Sequence, residues 1–297
     1  MTIKILLYLL AIVWAVAGAP TCAHRGRKNH TVTIRLNNLH YMDGAARNAN
    51  QNQASTTPNL VYYGGPVISN VQIIPIYYGS NVNFITQLNT FYKAIVGSKY
   101  ITWLSEYNTP TQKIGAGTFG TPVAITSGLQ ANTNDAAIQT WLLSLVSQKK
   151  ITPTANTYFP IHFAKGITIT SGTEKSCVQF CAYHGTVKLP AGSKTPYLYY
   201  GVIPDQSGGC ASGCGANPSA INNLQSVSSH ELVESITDAG VGQATTYSTP
   251  LAWYDQVNGE IGDICNGVQG SVKGTDGNSY IVQKQWSNSR KVCYVPT

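Results

Sequence analysis

The acidic residues of this chain are concentrated in one short stretch, residues 228–263. The chain has 297 residues, with twelve Asp and Glu against nineteen Lys and Arg. Half of those acidic residues fall in the stretch: Glu231, Glu234, Asp238, Asp255, Glu260 and Asp263. Because like charges repel at short range, a fold that brings these side chains together needs a cation among them. The stretch therefore predicts a metal site, and the rest of the chain has to fold around it.

The first half of this stretch, SSHELVESITDAG, has helical spacing. His230, Glu234 and Asp238 recur at every fourth position, so on a helix they lie along one face, with Glu231 beside them. Imidazole nitrogen and carboxylate oxygen are both zinc ligands. The alternative is a solvated acidic face with an ordinary histidine, which is the common outcome for an isolated match of this length.

His230-Glu231-x-x-Glu234 resembles the His-Glu-x-x-His helix of zinc peptidases, with Glu in place of the second His. In those enzymes the two His bind zinc and the intervening Glu is the general base. The resemblance assigns His230 and Glu234 as ligands and Glu231 as the base. For the third ligand we expect Glu260, then Asp238, then Asp263. Zinc is the first candidate, and the extra carboxylate leaves manganese and calcium open.

His184 is a further candidate for the site. It lies shortly after Cys177 and Cys181, which could hold it rigidly, and it would act as a fourth ligand or stabilise a developing oxyanion. The alternative is a hydrogen-bonded loop histidine. Tyr183 or Tyr254 could supply the same electrophilic role.

The N-terminal region predicts secretion. Residues 1–19 have the basic flank, short apolar run and small residues of a signal peptide, and the run is too short to span a bilayer. Residues 20–59 are polar and read as a flexible leader, with a glycosylation sequon at Asn29. Loss of Lys4 lowers the formal net charge from +7 to +6, which is too small and dispersed to indicate nucleic-acid binding.

Six of the seven cysteines form an even set, and Cys22 is the seventh. In an oxidising compartment we expect three disulfides. Cys265 with Cys293 is the first expected pair. The four others either close two short loops or pair across, and zinc binding by the two Cys-x-x-x-Cys units is the alternative. The four are Cys177, Cys181, Cys210 and Cys214.

The remaining pattern predicts a single α+β domain over residues 60–297, with a mixed sheet packed on helices, disulfide-stapled and zincin-like. Pro75 lies inside the apolar run 71–78, so we expect that strand at an edge or at a bulge. Helices are predicted from Phe84, after Asn134 and over 218–236. Strands are predicted over 123–126, 158–163, 197–203, 272–286 and 292–295, with a turn at Asp276-Gly277-Asn278.

Five ordered motifs make residues 60–295 similar to the phosphate-induced, EXORDIUM-like family of secreted proteins. The resemblance implies an extracellular or wall-associated protein linked with growth, without a well-established reaction. The motifs are Tyr63-Gly64-Gly65-Pro66, Cys177-x-x-x-Cys181-x-x-His184-Gly185, Cys210-x-x-x-Cys214, Ala252-Trp253-Tyr254 and Glu260-Ile261-Gly262-Asp263-x-Cys265.

Two functions follow as hypotheses. The first is a secreted metallopeptidase that acts on a peptide or protein substrate. The second is a non-catalytic extracellular module with a structural metal, which binds a cell-wall polymer or a receptor. An open coordination position separates the two, because catalytic zinc sites keep one and structural sites are closed. The sequence leaves the oligomeric state open.

Overall fold

An eight-stranded mixed sheet runs through the described part of the chain, which in this computed structural model is residues 39–41 and 57–297. All of these residues belong to one compact unit. The expected signal peptide, Cys22 and the sequon at Asn29 lie outside the described residues. None of the described helices is long and apolar enough to cross a membrane.

Four α-helices and seventeen strands are found in the described residues. The helices are α1 (Ile85–Ile95), α2 (Lys99–Thr102), α3 (Asp135–Ser147) and α4 (Ala220–Thr237). The strands are β1 (Leu39–Tyr41), β2 (Val61–Tyr62), β3 (Gln72–Ile73), β4 (Ile76–Tyr78), β5 (Thr118–Phe119), β6 (Val123–Ile125), β7 (Asn132–Asn134), β8 (Thr157–Phe163), β9 (Thr168–Ser171), β10 (Glu174–Lys175), β11 (Phe180–Lys188), β12 (Tyr197–Ile203), β13 (Trp253–Tyr254), β14 (Gln269–Lys273), β15 (Ser279–Gln283), β16 (Gln285–Ser287) and β17 (Val292–Tyr294).

The sheet is parallel at its centre and antiparallel at one side. Its order is β1-β11-β12-β8-β3-β5, with β4 and β6 continuing next to β8. β12, β8, β3 and β4 run parallel, whereas β11 and β1 are antiparallel to their neighbours. The fold is therefore α+β, as expected, with helices on both faces of the sheet.

The apolar run 71–78 is interrupted at Ile74-Pro75, which separates β3 from β4. Both strands pair with β8 on one side, and with β5 or β6 on the other. The edge position allowed by the sequence is therefore wrong, and the break is the correct alternative. Proline has no N–H to give to a ladder, so the chain bulges there instead of ending the sheet.

β1 lies within the leader that was expected to be flexible over residues 20–59. Its three residues pair antiparallel with β11, opposite Tyr183, Ala182 and Phe180. The edge of β11 therefore offers these residues main-chain partners that composition does not reveal.

α4 is surrounded by protein. Its residues from Asn223 to Thr237 are buried all round, between β11, β12 and the β14–β15 hairpin. Because the helix is buried on every side, its sequence has no polar stripe facing solvent and therefore no amphipathic pattern. α3 packs on the opposite face of the sheet through Ile138, Trp141 and Leu142.

Three disulfides staple this unit, in keeping with a secreted protein. Cys265 is bonded to Cys293, the pair expected first from the sequence. The other four pair across, as Cys177–Cys210 and Cys181–Cys214. With these cysteines in disulfides, the zinc alternative for the two Cys-x-x-x-Cys units is wrong.

Candidate metal centre

Six of the histidine and carboxylate residues singled out in the sequence converge between β11 and α4. α4 supplies His230, Glu231 and Glu234, β11 supplies His184, and the turn after β13 supplies Glu260 and Asp263. All but Asp263 are at most 1% exposed. Two groups have ligand atoms close enough to hold an ion: His184 with Glu234 and Glu260, and His230 with Glu231 and Glu234.

Glu234 belongs to both groups. Its Oε2 atom lies 3.0 Å from Nε2 of His230 and 3.7 Å from Nε2 of His184. Nε2 of His184 lies in turn 3.0 and 3.1 Å from the two oxygens of Glu260. Ligands about 2.1 Å from a tetrahedral zinc ion are about 3.4 Å from one another. These contacts are near the ligand–ligand spacing of a zinc site, and Glu234 links the two groups.

Backbone and side-chain hydrogen bonds fix this geometry. Oε1 of Glu234 accepts bonds of 3.1 Å from the N–H groups of both Gly262 and Asp263, so it ties α4 to the turn. Gln283 joins the same two segments, because its N–H donates to Ser229 and its side-chain amide donates to the Gly262 carbonyl. Only the second oxygen of Glu234 is left to face the histidines.

The residue Gln283 was not predicted. It is buried at the end of β15, 20 positions beyond Asp263, and its side chain resembles any other amide in the sequence. Gly262 was also missed as a site residue. A Cβ atom there would come within 2.7 Å of Nδ1 of His230 and 2.8 Å of Oε1 of Glu234. The Gly inside the Glu260–Asp263 motif was the one signal that could have revealed this close approach.

Asp238 takes a different position from the one expected. α4 ends at Thr237, and Asp238 is its C-cap residue, with an extended φ of −140°. Its Oδ1 accepts a 2.7 Å bond from the N–H of Ala252, which fastens the following loop to the helix. Asp238 is in neither ligand group. Asp263 is close to the centre, with Oδ1 3.9 Å from Nε2 of His230 and Oδ2 accepting from the N–H of Glu260.

One of the two tyrosine alternatives for the electrophilic role, Tyr183, lies away from the centre. The hydroxyl of Tyr183 donates to Asp135, on the opposite face of the sheet from α4. Tyr254 packs in a small cluster with Val241 and Leu251, and its ring lies 6.1 Å from that of Tyr247.

Burial dominates the electrostatics of the cluster. It raises the pKa of Glu231, Glu260 and Asp263 well above the ordinary values, and the charge of Glu234 adds to each rise. Burial also raises the pKa of Glu234, but the charge and hydrogen bond of His230, with His184, outweigh it and leave a net lowering. Burial lowers the pKa of His184 to about 4. The buried carboxyls whose pKa is raised keep their protons unless a bound cation replaces those protons.

No family model, curated protein or solved structure matches this chain. The resemblances to the EXORDIUM-like family and to zinc peptidases therefore stay predictions.

Proposed function

We propose that this protein is a secreted metalloprotein that holds one divalent cation, zinc first, and uses it to hydrolyse peptide bonds. His230, Glu234 and Glu260 hold the cation, and His184 faces a fourth position that stays open to water. The observation that carries the proposal is the position of one oxygen, Oε2 of Glu234, within 3.7 Å of the Nε2 atoms of both histidines. The candidate ligands come from three segments that are distant in sequence. A solvated acidic helix face would not bring such segments together.

The charge of the cluster supports a cation. Glu231, Glu234 and Glu260 are fully buried within a few ångströms of two histidines. Burying an uncompensated carboxylate costs several kcal/mol, which pairing or metal coordination offsets. The carboxylate-rich ligand set also keeps manganese and calcium as alternatives to zinc.

Glu231 is the catalytic residue of the proposal. A bound divalent cation lowers the pKa of water and polarises a peptide carbonyl. Glu231 lies beside the ligands His230 and Glu234, and accepts the proton of the attacking water. Burial raises the pKa of its carboxyl and a nearby cation lowers it, so the two effects oppose each other. A base that can accept and then pass on a proton at neutral pH needs such an intermediate pKa.

A structural metal in a non-catalytic module is the second candidate. Two points favour it: His184, His230, Glu234 and Glu260 are at most 1% exposed, and His184 as a fourth donor would close a tetrahedral site. The protein would then act outside the cell through another surface, for example on a cell-wall polymer, as the EXORDIUM-like resemblance implies.

Metal analysis of purified protein, together with a peptide-hydrolysis assay, separates these candidates. We expect about one equivalent of metal in the wild type and in Glu231→Gln, and none in His230→Ala. Hydrolysis is expected in the wild type alone. Glu174→Gln, a carboxylate outside the cluster, is the matched control and keeps both properties. Metal without hydrolysis in the wild type would favour the structural candidate, and a wild type without metal would refute both.

A further inference from the structure

The outermost strand of the main sheet comes from the leader. β1 pairs antiparallel with β11, with Leu39 opposite Tyr183 and an irregular step between His40 and Tyr41. The other neighbour of β11 is β12. Residues 180–183 of β11 therefore form a sheet edge that pairs with three residues of the leader, although the carbonyls of Phe180 and Cys181 also accept bonds from Cys177 and Gln206. Such edges bind extended chains through main-chain hydrogen bonds.

The rest of this edge is closed by a loop. The side-chain amide of Gln243 donates a 2.7 Å bond to the carbonyl of Thr186. A Cβ atom at Gly242 would come within 2.8 Å of the backbone nitrogen of Thr186, so an added strand has no room there. The edge that an extended chain can use therefore ends next to His184.

This edge borders the metal centre. Tyr183, which pairs with Leu39, immediately precedes His184 in β11. Alternate side chains of a strand point to opposite faces. The imidazole of His184 thus points toward α4 and Glu260, whereas the Tyr183 hydroxyl bonds to Asp135 on the other face. The backbone of β1 also approaches α4.

We infer that residues 180–184 of β11 form a docking site for an extended peptide, which pairs antiparallel with the strand, and that β1 occupies this site in the intact chain. The inference rests on the proposed function for the fate of the peptide and supplies its substrate class, an unfolded or extended segment. Binding itself uses the main chain of β11 and does not need the metal.

β1 is a weak but tethered occupant. It has three residues, and its ladder is irregular at one step, so it makes few hydrogen bonds. A short tether gives such a segment an effective concentration on the order of millimolar, so a free peptide at micromolar concentration does not displace it. Weakening β1 alone should therefore open the edge to peptides.

The test compares His40→Pro with His40→Ala in the full chain. Proline removes the backbone donor of the central residue of β1, whereas alanine keeps it. The probe is a fluorescent synthetic peptide with the sequence of residues 37–43, and binding is followed by anisotropy. We expect the proline variant to bind it at least about tenfold more tightly than the wild type and the alanine variant. A probe N-methylated at alternate amides should not bind.

Equal affinity for all three proteins, or binding of the N-methylated probe, would overturn the inference. If circular dichroism shows that the proline variant does not fold, amide hydrogen exchange of the wild type decides. Amides of residues 180–183 that face β1 should then exchange at least about tenfold faster than those of the β11–β12 ladder, and uniform exchange would count against the site.

Each binding measurement is repeated after chelation of metal. Probe binding by a protein that never holds metal would leave the docking site intact and refute the proposed function. A proline variant that holds metal but does not bind the probe would refute the docking site and leave the proposed function intact.

Discussion

Nε2 of His184 lies 3.0 Å from Oε2 of Glu260, although the two residues are 76 positions apart in the chain. This contact joins β11 to the turn after β13, and Glu234 of α4 belongs to the same group of three candidate ligands. A contact of this kind between two buried side chains distinguishes Glu260 from Asp238, whose carboxylate is used to hold the backbone of Ala252.

The first prediction follows from that difference. Glu260→Gln should weaken metal binding at least about 100-fold, beyond the 10–100-fold typical of residues that only support a ligand. Asp238→Asn, the matched control, keeps an oxygen that can accept from Ala252 and should change the affinity by less than about tenfold. Competition with a chelator of known affinity measures both. The reverse ranking would show that Asp238, not Glu260, is the third ligand.

Gly262 leads to a second prediction. Its φ of −83° is ordinary for any residue, so a substitution there acts through space alone. The Cβ atom of Gly262→Ala would meet Nδ1 of His230 at 2.7 Å and force that ring or Glu234 to move. We expect metal affinity to fall at least about tenfold, because ligands are positioned by such supporting contacts. Gly115→Ala is the control, since its Cβ would meet only the end of the Asn70 side chain, at 3.1 Å. Equal affinities for both variants would contradict this packing argument.

The sequence predicted which side chains come together at the centre better than it predicted the contacts that position them. His230 and Glu234 could be placed together because helical spacing is local, and Glu260 could be singled out because acidic residues are rare in this chain. Gln283 could not be, since its role depends on the β14–β15 hairpin folding over α4. The role of Asp238 was missed for a similar reason, because its bond from Ala252 is a tertiary contact.

In the fold, too, local patterns were predicted well and tertiary contacts were not. Helices and strands with clear periodicity were predicted near their observed positions, for example α4 at 220–237. The edge position considered for the Pro75 strand was wrong. A break inside a sheet and a position at its edge both accommodate a residue without an N–H donor, so the sequence could not separate the two. The pairing of β1 with β11 was not foreseeable, since a three-residue strand carries almost no periodic signal.

A third prediction compares two disulfides. Cys177–Cys210 and Cys181–Cys214 each span 33 positions, so removing either relaxes the unfolded chain by the same amount. Cys181 lies in β11, three residues before His184, whereas Cys177 precedes the strand. We expect the double Ser variant of Cys181 and Cys214 to lose more metal affinity than that of Cys177 and Cys210, at similar losses of about 2–5 kcal/mol in unfolding free energy. Chelator competition and urea unfolding measure the two quantities, and equal metal affinities would show that neither disulfide orients His184.

The fourth prediction concerns a histidine outside the cluster. Burial lowers the pKa of His162 to about 3, from 6.5 for an exposed imidazole. The ring is 2% exposed, its Nε2 lies 2.9 Å from the hydroxyl of Tyr92, and the ring of Tyr77 stacks on it. Burial also raises the pKa of Tyr92, so the hydroxyl stays protonated and shares one hydrogen bond with the neutral imidazole, whose tautomer sets the direction of the bond.

This lowered pKa makes stability depend on pH. Between about pH 6.5 and pH 3 the unfolded chain protonates His162 while the native protein does not, so protons favour unfolding there. The stabilising contribution is complete above pH 6.5 and falls as the pH decreases, by up to about 1.4 kcal/mol per pH unit. His162→Gln keeps an acceptor for Tyr92 and has no such titration. Urea unfolding of both proteins in the same chelator, from pH 7.5 to pH 4.5, should therefore show their free energies of unfolding converging as the pH falls. Parallel curves would mean that the native imidazole takes up its proton as readily as the unfolded one.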